Sequence, residues 1–284
     1  MNFNRVTIIG VGLIGGSLAL SLKKHGLCSQ VWGWGRSAER LERALKDGVI
    51  DHATLDLSEA VKDADLVVLS TPVSSFEEIA LKIKNSLKKG ALITDVGSVK
   101  ASVVKRLEDA LCGIAYYVGS HPIAGSDRSG VEHARDDLFE GATVIITPTE
   151  RTEPSALSTL QTLWSELGSK VLIVSAEEHD RMLSLISHLP HVIAYSLTNT
   201  VDAVNPEYLL YSGGGFKDTT RIALSSEELW TDICLFNQRE LLKAIELFER
   251  ELKKVKGALM DKDRERLIEL FKRARLSRMR IKNG

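Results

Sequence analysis

Apolar runs and polar intervals alternate along the first 175 residues with two different periods. Short runs rich in Val and Ile recur as RVTIIG (5–10), QVWGW (30–34), ADLVVLSTP (64–72), ALITDVG (91–97), AYYVGSHPIAG (115–125), ATVIITPTE (142–150) and KVLIV (170–174). Runs this apolar and this short suit strands covered on both faces, as in a parallel sheet. Between them lie segments with helical spacing, LIGGSLALSLKKHG, SAERLERALKDG, SSFEEIALKIKNSLKKG, ASVVKRLEDAL and EPSALSTLQTLWSELGS, several closed by a glycine. The alternation predicts an α/β fold built on a doubly wound, Rossmann-type sheet, with ligands held at the carboxyl ends of the strands.

After Val174 the pattern changes. EEHDRMLSLISHLPHVIAYSLTNTV, the long stretch from Lys217 to Leu259, and DRERLIELFKRARLSRM keep helical spacing and show no strand-like run. Pro190 is expected to break a helix. The expected organisation is therefore a sheet domain over residues 1–174 and an all-helical domain over 175–284. The stripe Leu241, Ile245, Phe248, Leu252 and Val255 exceeds what so small a helical domain needs internally, which predicts a homodimer through the C-terminal helices.

Charge and composition narrow the function. Lys plus Arg number 37 against 38 for Asp plus Glu, so no net field draws the chain to nucleic acid or to acidic lipid. The basic tail from Lys262 lacks aromatic interleaving and reads as a solvated helix face. No uncharged run reaches the roughly 20 residues that cross a bilayer. Cys28, Cys112 and Cys234 are sparse and unclustered, which argues against a disulfide framework and a zinc site and suits a cytoplasmic protein.

The uncharged stretch from Val6 to Leu22 has two readings, a secretion signal or a strand and helix around a ligand. A signal core avoids glycines and ends at a small-residue cleavage site. Here Gly10, Gly12 and Gly15 spell G-x-G-x-x-G between a strand and a helix. Gly10 would make the turn, Gly12 would admit a pyrophosphate, and Gly15 would let the helix lie on the strand, with the amides of Leu13 and Ile14 facing the anion. At the end of the second strand no carboxylate stands where one would take a ribose hydroxyl. Arg36 and Ser37 stand there instead, either meeting adenine or a 2′-phosphate, or merely solvated and capping a helix. NAD and NADP both remain open. The exits Ser70-Thr71-Pro72, Asp95 to Ser98 and Ser120 to Gly125 are the further places to look.

A dehydrogenase needs a base for the hydroxyl proton and cations for an acidic small-molecule substrate. His121, in a Gly/Pro loop at a strand exit, is the candidate base. Ser98 either donates to the substrate oxygen or caps the following helix. Gly213 to Gly215 would spoil a helix interior, so Gly214 is expected in a loop with close backbone approach. If a helix follows, Lys217 and Arg221 share one face, where Arg221 could clamp a carboxylate or pair with Asp218. His188 and His191 lie three apart without a third metal ligand. Trp230 is either core or a pocket wall.

With GVGLIGGSLA, DVGSVK, SHPIAGSDRSGV, SHLPH and GGGFKDTTRIA…LWTDICLFN in this order, the chain resembles the prephenate dehydrogenases, arogenate and cyclohexadienyl dehydrogenases included, from Val6 to about Lys256. The resemblance implies NAD(P)-dependent oxidative decarboxylation in tyrosine biosynthesis, of prephenate to 4-hydroxyphenylpyruvate or of arogenate to tyrosine. It also implies roles. His121 takes the ring hydroxyl proton, Ser98 hydrogen-bonds that hydroxyl and His121, Arg221 binds the ring carboxylate, and His191 and Trp230 line the pocket. Ser126 and Asp127 stand where the family often has Thr and Glu, and Asp127 could favour the ammonium of arogenate. Two other readings carry weight: a β-hydroxyacid dehydrogenase using Lys217, and a non-catalytic redox sensor binding NAD(P)H.

Overall fold

A computed structural model describes residues 2–125 and 130–281. Its strands are β1 (Phe3–Ile9), β2 (Cys28–Trp34), β3 (His52–Thr54), β4 (Leu66–Leu69), β5 (Leu92–Asp95), β6 (Tyr116–Ile123), β7 (Thr143–Thr147) and β8 (Lys170–Ile173). They form one sheet in the order β3-β2-β1-β4-β5-β6-β7-β8. Every neighbouring pair is parallel except β6 with β7. Seven strands lie where the apolar runs put them. The eighth, β3, has three residues, too few to show a period.

The unbroken hydrophobicity of the central strands follows from their position. β4 and β5 are buried at every residue, because helices cover both faces of the sheet. On one face Val6 and Ile8 pack with Leu18, Leu22 and Trp164. On the other, Ile9, Val67 and Leu69 pack with Phe76, Ile79 and Leu107. Each such side chain contributes about 1.5–3 kcal/mol by leaving water.

Strand-to-helix alternation ends with β8. The helix Ala176–Leu183 then runs through a π-helical turn, Ser184–His188, into the helix Leu189–Val204. The expected break at Pro190 is therefore a widening. Proline has no N–H and its ring crowds the carbonyl four residues back, and a π turn relieves both without ending the helix. Further helices are Gly214–Thr220, Glu227–Phe236, Gln238–Met260 and Arg264–Arg278.

By compactness the chain divides into residues 1–237 and 238–284. The helix Ala176–Leu183 belongs to the first unit and is tied to the sheet by buried polar contacts described below. In the second unit the helices Gln238–Met260 and Arg264–Arg278 meet, with Arg273 paired to Glu251 at 2.5 Å. No helix among the described residues is long and apolar enough to cross a membrane.

Candidate active site

The glycine turn is built as its spacing requires. Gly10 has φ +100°, a conformation that disfavours a side chain, and a Cβ there would lie 2.7 Å from the Ser70 carbonyl oxygen. At Gly15 a Cβ would lie 2.4 Å from the Gly10 oxygen and 2.8 Å from Ile8, so the helix Leu13–Lys24 lies directly on β1. Gly12 differs: a Cβ would meet nothing within 4 Å. Gly12 is also the N-cap of that helix and offers no side-chain cap to the first-turn amides of Leu13, Ile14 and Gly15. Open space before uncapped amides fits a dinucleotide pyrophosphate on the chemistry of the donors.

Around this turn the neighbouring strand exits take up local roles. Ser37 caps the helix Ala38–Lys46, accepting from the Arg40 amide at 3.3 Å, while Arg36 is exposed. The Ser70 amide bonds the Ile9 carbonyl at 2.8 Å, joining the exits of β1 and β4. Thr71 and Ser75 share a 2.8 Å hydroxyl contact, and Pro72 begins a single 3-10 turn.

His121 is not in a loop. It lies within β6, opposite Ile145 of β7, and is 8% exposed. β5 pairs with β6 only as far as Val118, so β6 runs past its parallel neighbour with β7 alone beside it. Pro122 is tolerated there because a strand with one neighbour need not use every N–H. The overhang leaves His121 at the carboxyl end of the sheet, where open α/β sheets bind ligands.

Nor is His121 bonded to backbone. Its Nδ1 lies 2.8 Å from Nε2 of His179, and Nδ1 of His179 lies 2.8 Å from Oδ1 of Asp180. His179 and Asp180 are 0% and 2% exposed. Asp180 is held by the amides of Lys100 and Ala101, each at 2.8 Å. This carboxylate, not Ser98, satisfies the start of the helix Ala101–Leu111, whose N-cap position is Lys100. The helix begins at Ala101 with Lys100 at the N-cap position, so Ser98 stands two residues before the place where a side chain caps. Asp95 accepts the Gly97 amide at 2.7 Å, and the Lys100 ammonium at 2.5 Å in a fully buried ion pair. The Tyr117 hydroxyl donates to its other oxygen at 2.6 Å.

Burial sets the protonation of the histidines. Desolvation first, then the charges of His179, Lys100 and His188, hold the His121 imidazole well below its usual pKa. Burial, with Lys100 and His188, pushes His179 down to about 2. Burial brings His188 to about 4, although Asp180 and the Ser98 backbone pull the other way. His188 is turned inward: its Nδ1 accepts from the Asn237 amide at 3.0 Å, and that same amide group donates to the Asp180 carbonyl at 2.8 Å.

His191 serves a different surface. Its ring stacks on half-buried Trp230, with centroids 3.4 Å apart, and its Nδ1 donates to the Ser187 carbonyl at 3.0 Å, which leaves Nε2 as an acceptor. Burial lowers its pKa, and the Arg221 charge adds to the lowering, so the guanidinium stands near this ring. Arg221 is exposed and makes no ion pair with Asp218 among the described residues. Electrostatic neighbours thus link His121 through His188 and His191 to Arg221 within the first compact unit.

Other expected residues stand apart or require correction. Gly214 does not lie in a loop: it opens the helix Gly214–Thr220, where glycine costs little because first-turn amides have no intrahelical partner. A Cβ at Gly213, Gly214 or Gly215 would meet nothing within 4 Å, so no close backbone approach occurs there among the described residues. Lys217 is exposed on the same helix. Ser126 and Asp127 lie outside the described residues. Sequence reading missed His179, Asp180, Lys100 and Asn237. Only the placing of the adjacent His179-Asp180 pair right after the last strand, at another strand exit, hinted at the first two.

Comparison with known proteins completes the picture. Residues 18–173 match the family model for the prephenate dehydrogenase nucleotide-binding domain, and residues 175–273 match that for the prephenate dehydrogenase dimerization domain. The chain is 38% identical to a cyclohexadienyl dehydrogenase of Zymomonas mobilis, over 99% of this chain and 97% of that one. It is 38% identical to a prephenate dehydrogenase of Bacillus subtilis, over 97% of this chain and 76% of that one. The crystal structure of the prephenate dehydrogenase from A. aeolicus in complex with hydroxyphenyl propionate and NAD+ superposes with a TM-score of 0.94 at 39% identity, covering 99% of both chains.

Proposed function

The chain belongs to the prephenate dehydrogenase family, and from that premise we propose how its residues share the NAD(P)-dependent oxidative decarboxylation of prephenate or arogenate in tyrosine biosynthesis. When bound, the nicotinamide accepts the hydride; everything else falls to the protein. Gly10, Gly12 and Gly15, with the amides of Leu13 and Ile14, hold the pyrophosphate, and Arg36, Ser37 and the Ser70-Thr71-Pro72 exit flank the rest of the dinucleotide. His121 accepts the ring hydroxyl proton as the hydride departs, with Ser98 hydrogen-bonding the same hydroxyl. Arg221 binds a substrate carboxylate, and the stacked pair of His191 and Trp230 walls the ring. Losing CO2 aromatises the ring, so the protein has mainly to align hydride, proton and carboxylate.

Residues 1–174 form the dinucleotide domain and 175–284 the substrate and dimer domain. The single chain leaves Val204, Leu210, Tyr211 and Leu224 more than 70% exposed, an apolar excess that a second copy would cover. The observation that carries the catalytic reading is the burial of His121 at the overhanging end of β6, neutral and hydrogen-bonded from behind. The test is a spectrophotometric assay of purified protein with prephenate and with arogenate, each against NAD and NADP. The expected result is reduction of cofactor with at least one pair and release of CO2. Cofactor binding without reduction by either substrate would overturn the reading.

A further inference from the structure

Two buried groups behind the candidate base have no part in the scheme so far. His179 and Asp180 are sealed from solvent, yet they lie in one line of short contacts with His121. Packing alone does not call for an imidazole and a carboxylate in such a place, because burying either is costly unless the bonds it makes are needed.

Hydrogen-bond polarity along this line can be worked out from its fixed end. Both oxygens of Asp180 already accept backbone amides, from Lys100 and from Ala101. Burial raises its pKa, while those amides and the Lys100 charge oppose the rise. A carboxylate that accepts at both oxygens serves best ionised, as an acceptor only. His179 must then donate to it from Nδ1, and a neutral His179 has only a lone pair left at Nε2. The 2.8 Å contact with His121 therefore takes its hydrogen from His121 Nδ1. In neutral His121 the lone pair is left on Nε2, the nitrogen not engaged by the relay.

We propose that His179 and Asp180 are positioning residues that fix the tautomer of His121 and stabilise the proton it receives. This rests on the reading of His121 as the base. As hydride leaves the substrate carbon, the hydroxyl proton bonds to His121 Nε2. The positive charge is shared along Nδ1–H to His179 and onward to Asp180. When CO2 departs, the electron pair of the broken carbon–carbon bond enters the ring, the ring oxygen takes the proton back, and the relay returns to its starting tautomers.

The surrounding charges fit this task. Among the described residues at this end of the sheet, the buried ionic groups are Asp95, Asp180 and Lys100, two carboxylates against one ammonium. A proton on His121 brings the cluster to neutrality in a site with little water to do so. At rest, burial foremost and the facing Lys100 ammonium after it keep the pair unprotonated. Asn237 braces the arrangement by donating to both the Asp180 carbonyl and His188.

Asp180 also caps a helix, so His179 is the position to vary. His179→Phe keeps the volume and removes the acceptor. His179→Gln returns an acceptor oxygen near the Nε2 position but cannot carry charge. The expected kcat of His179→Phe is lower by about 10- to 100-fold, with KM within a few-fold of the parent. His179→Gln should recover part of that loss. Selective 15N-histidine NMR should show His121 protonated at Nδ1 in the parent and in His179→Gln, and mixed between its nitrogens in His179→Phe. Parental kcat in His179→Phe, or a His121 resonance carrying its proton on Nε2 in the parent, would overturn the proposal. His121→Asn run alongside separates the two claims: if it turns over normally the base assignment fails, and if it is dead while His179→Phe is normal only the relay fails.

Discussion

The glycine turn and the histidine cluster, the two parts of the proposed active site, are made in opposite ways. The glycine turn at 10–15 is contiguous in the chain and acts through backbone: a positive φ at Gly10, open space at Gly12 and close packing at Gly15. The histidine cluster is drawn from β6, the Asp95–Lys100 turn, the helix Ala176–Leu183, the π turn and Asn237, and it acts through side chains. The first region can be changed one residue at a time with separable effects on fold and binding. In the second, fold and chemistry share the same groups, because Asp180 both terminates the relay and caps a helix.

That contrast can be tested directly, and the largest effect is expected at the base. His121→Asn should lower kcat by about 10²–10⁴-fold while leaving dinucleotide affinity, read by fluorescence titration, near the parent value. Asp180→Ala should cost about 3–5 kcal/mol in chemical denaturation, because it strands the buried Lys100 amide, the half-buried Ala101 amide, the His179 ring and part of the balance to Lys100. A variant with parental stability would show that fold and relay are independent after all.

The glycine turn should divide in the other direction. Gly15→Ala forces a methyl against the Gly10 carbonyl and should lower stability by about 1–3 kcal/mol. Gly12→Ala meets no protein atom and should unfold at the parental midpoint, yet it should weaken dinucleotide binding by filling the space before the helix amides. Equal loss of stability in both would remove the distinction drawn between packing and binding glycines.

Between pH 7 and pH 5, acid should act chiefly on the histidine half. His179 and His188 have folded pKa values depressed to about 2 and about 4, and His121 is depressed as well, against an ordinary value near 6.5. A histidine neutral when folded and protonated when unfolded makes the unfolded chain bind more protons. Stability is then fully present above pH 6.5 and is lost as pH falls below it, by about 1.4 kcal/mol per pH unit per histidine. Denaturation midpoints measured from pH 7 to pH 5 should fall steeply, and His188→Asn should flatten the slope. At the nucleotide end, Ser37→Ala should cost only about 1 kcal/mol through its lost helix cap.

The uneven legibility of the molecule has the same origin. Seven strands and the helices between them could be read directly, since a strand covered on both faces must be apolar throughout and a surface helix must repeat every 3.6 residues. β3 escaped because three residues carry no period. His121 was read as a loop residue because Gly119 and Pro122 look like turn formers, whereas the antiparallel neighbour β7 holds them in a strand. Ser98 is a plausible cap by spacing and loses that place to Asp180, a carboxylate 80 positions from the Lys100 amide it accepts.

By itself, then, the sequence determined the layers, the strand exits and the glycine turn, all of which depend on residues within one or two turns of each other. Tertiary structure alone decided which group meets Nδ1 of His121, what stands behind it and what caps the helix after β5. Those are settled by single hydrogen bonds between residues 58 to 80 apart. Backbone geometry repeats and so leaves a pattern in the chain. A buried side-chain network is satisfied once, at one place, and leaves none.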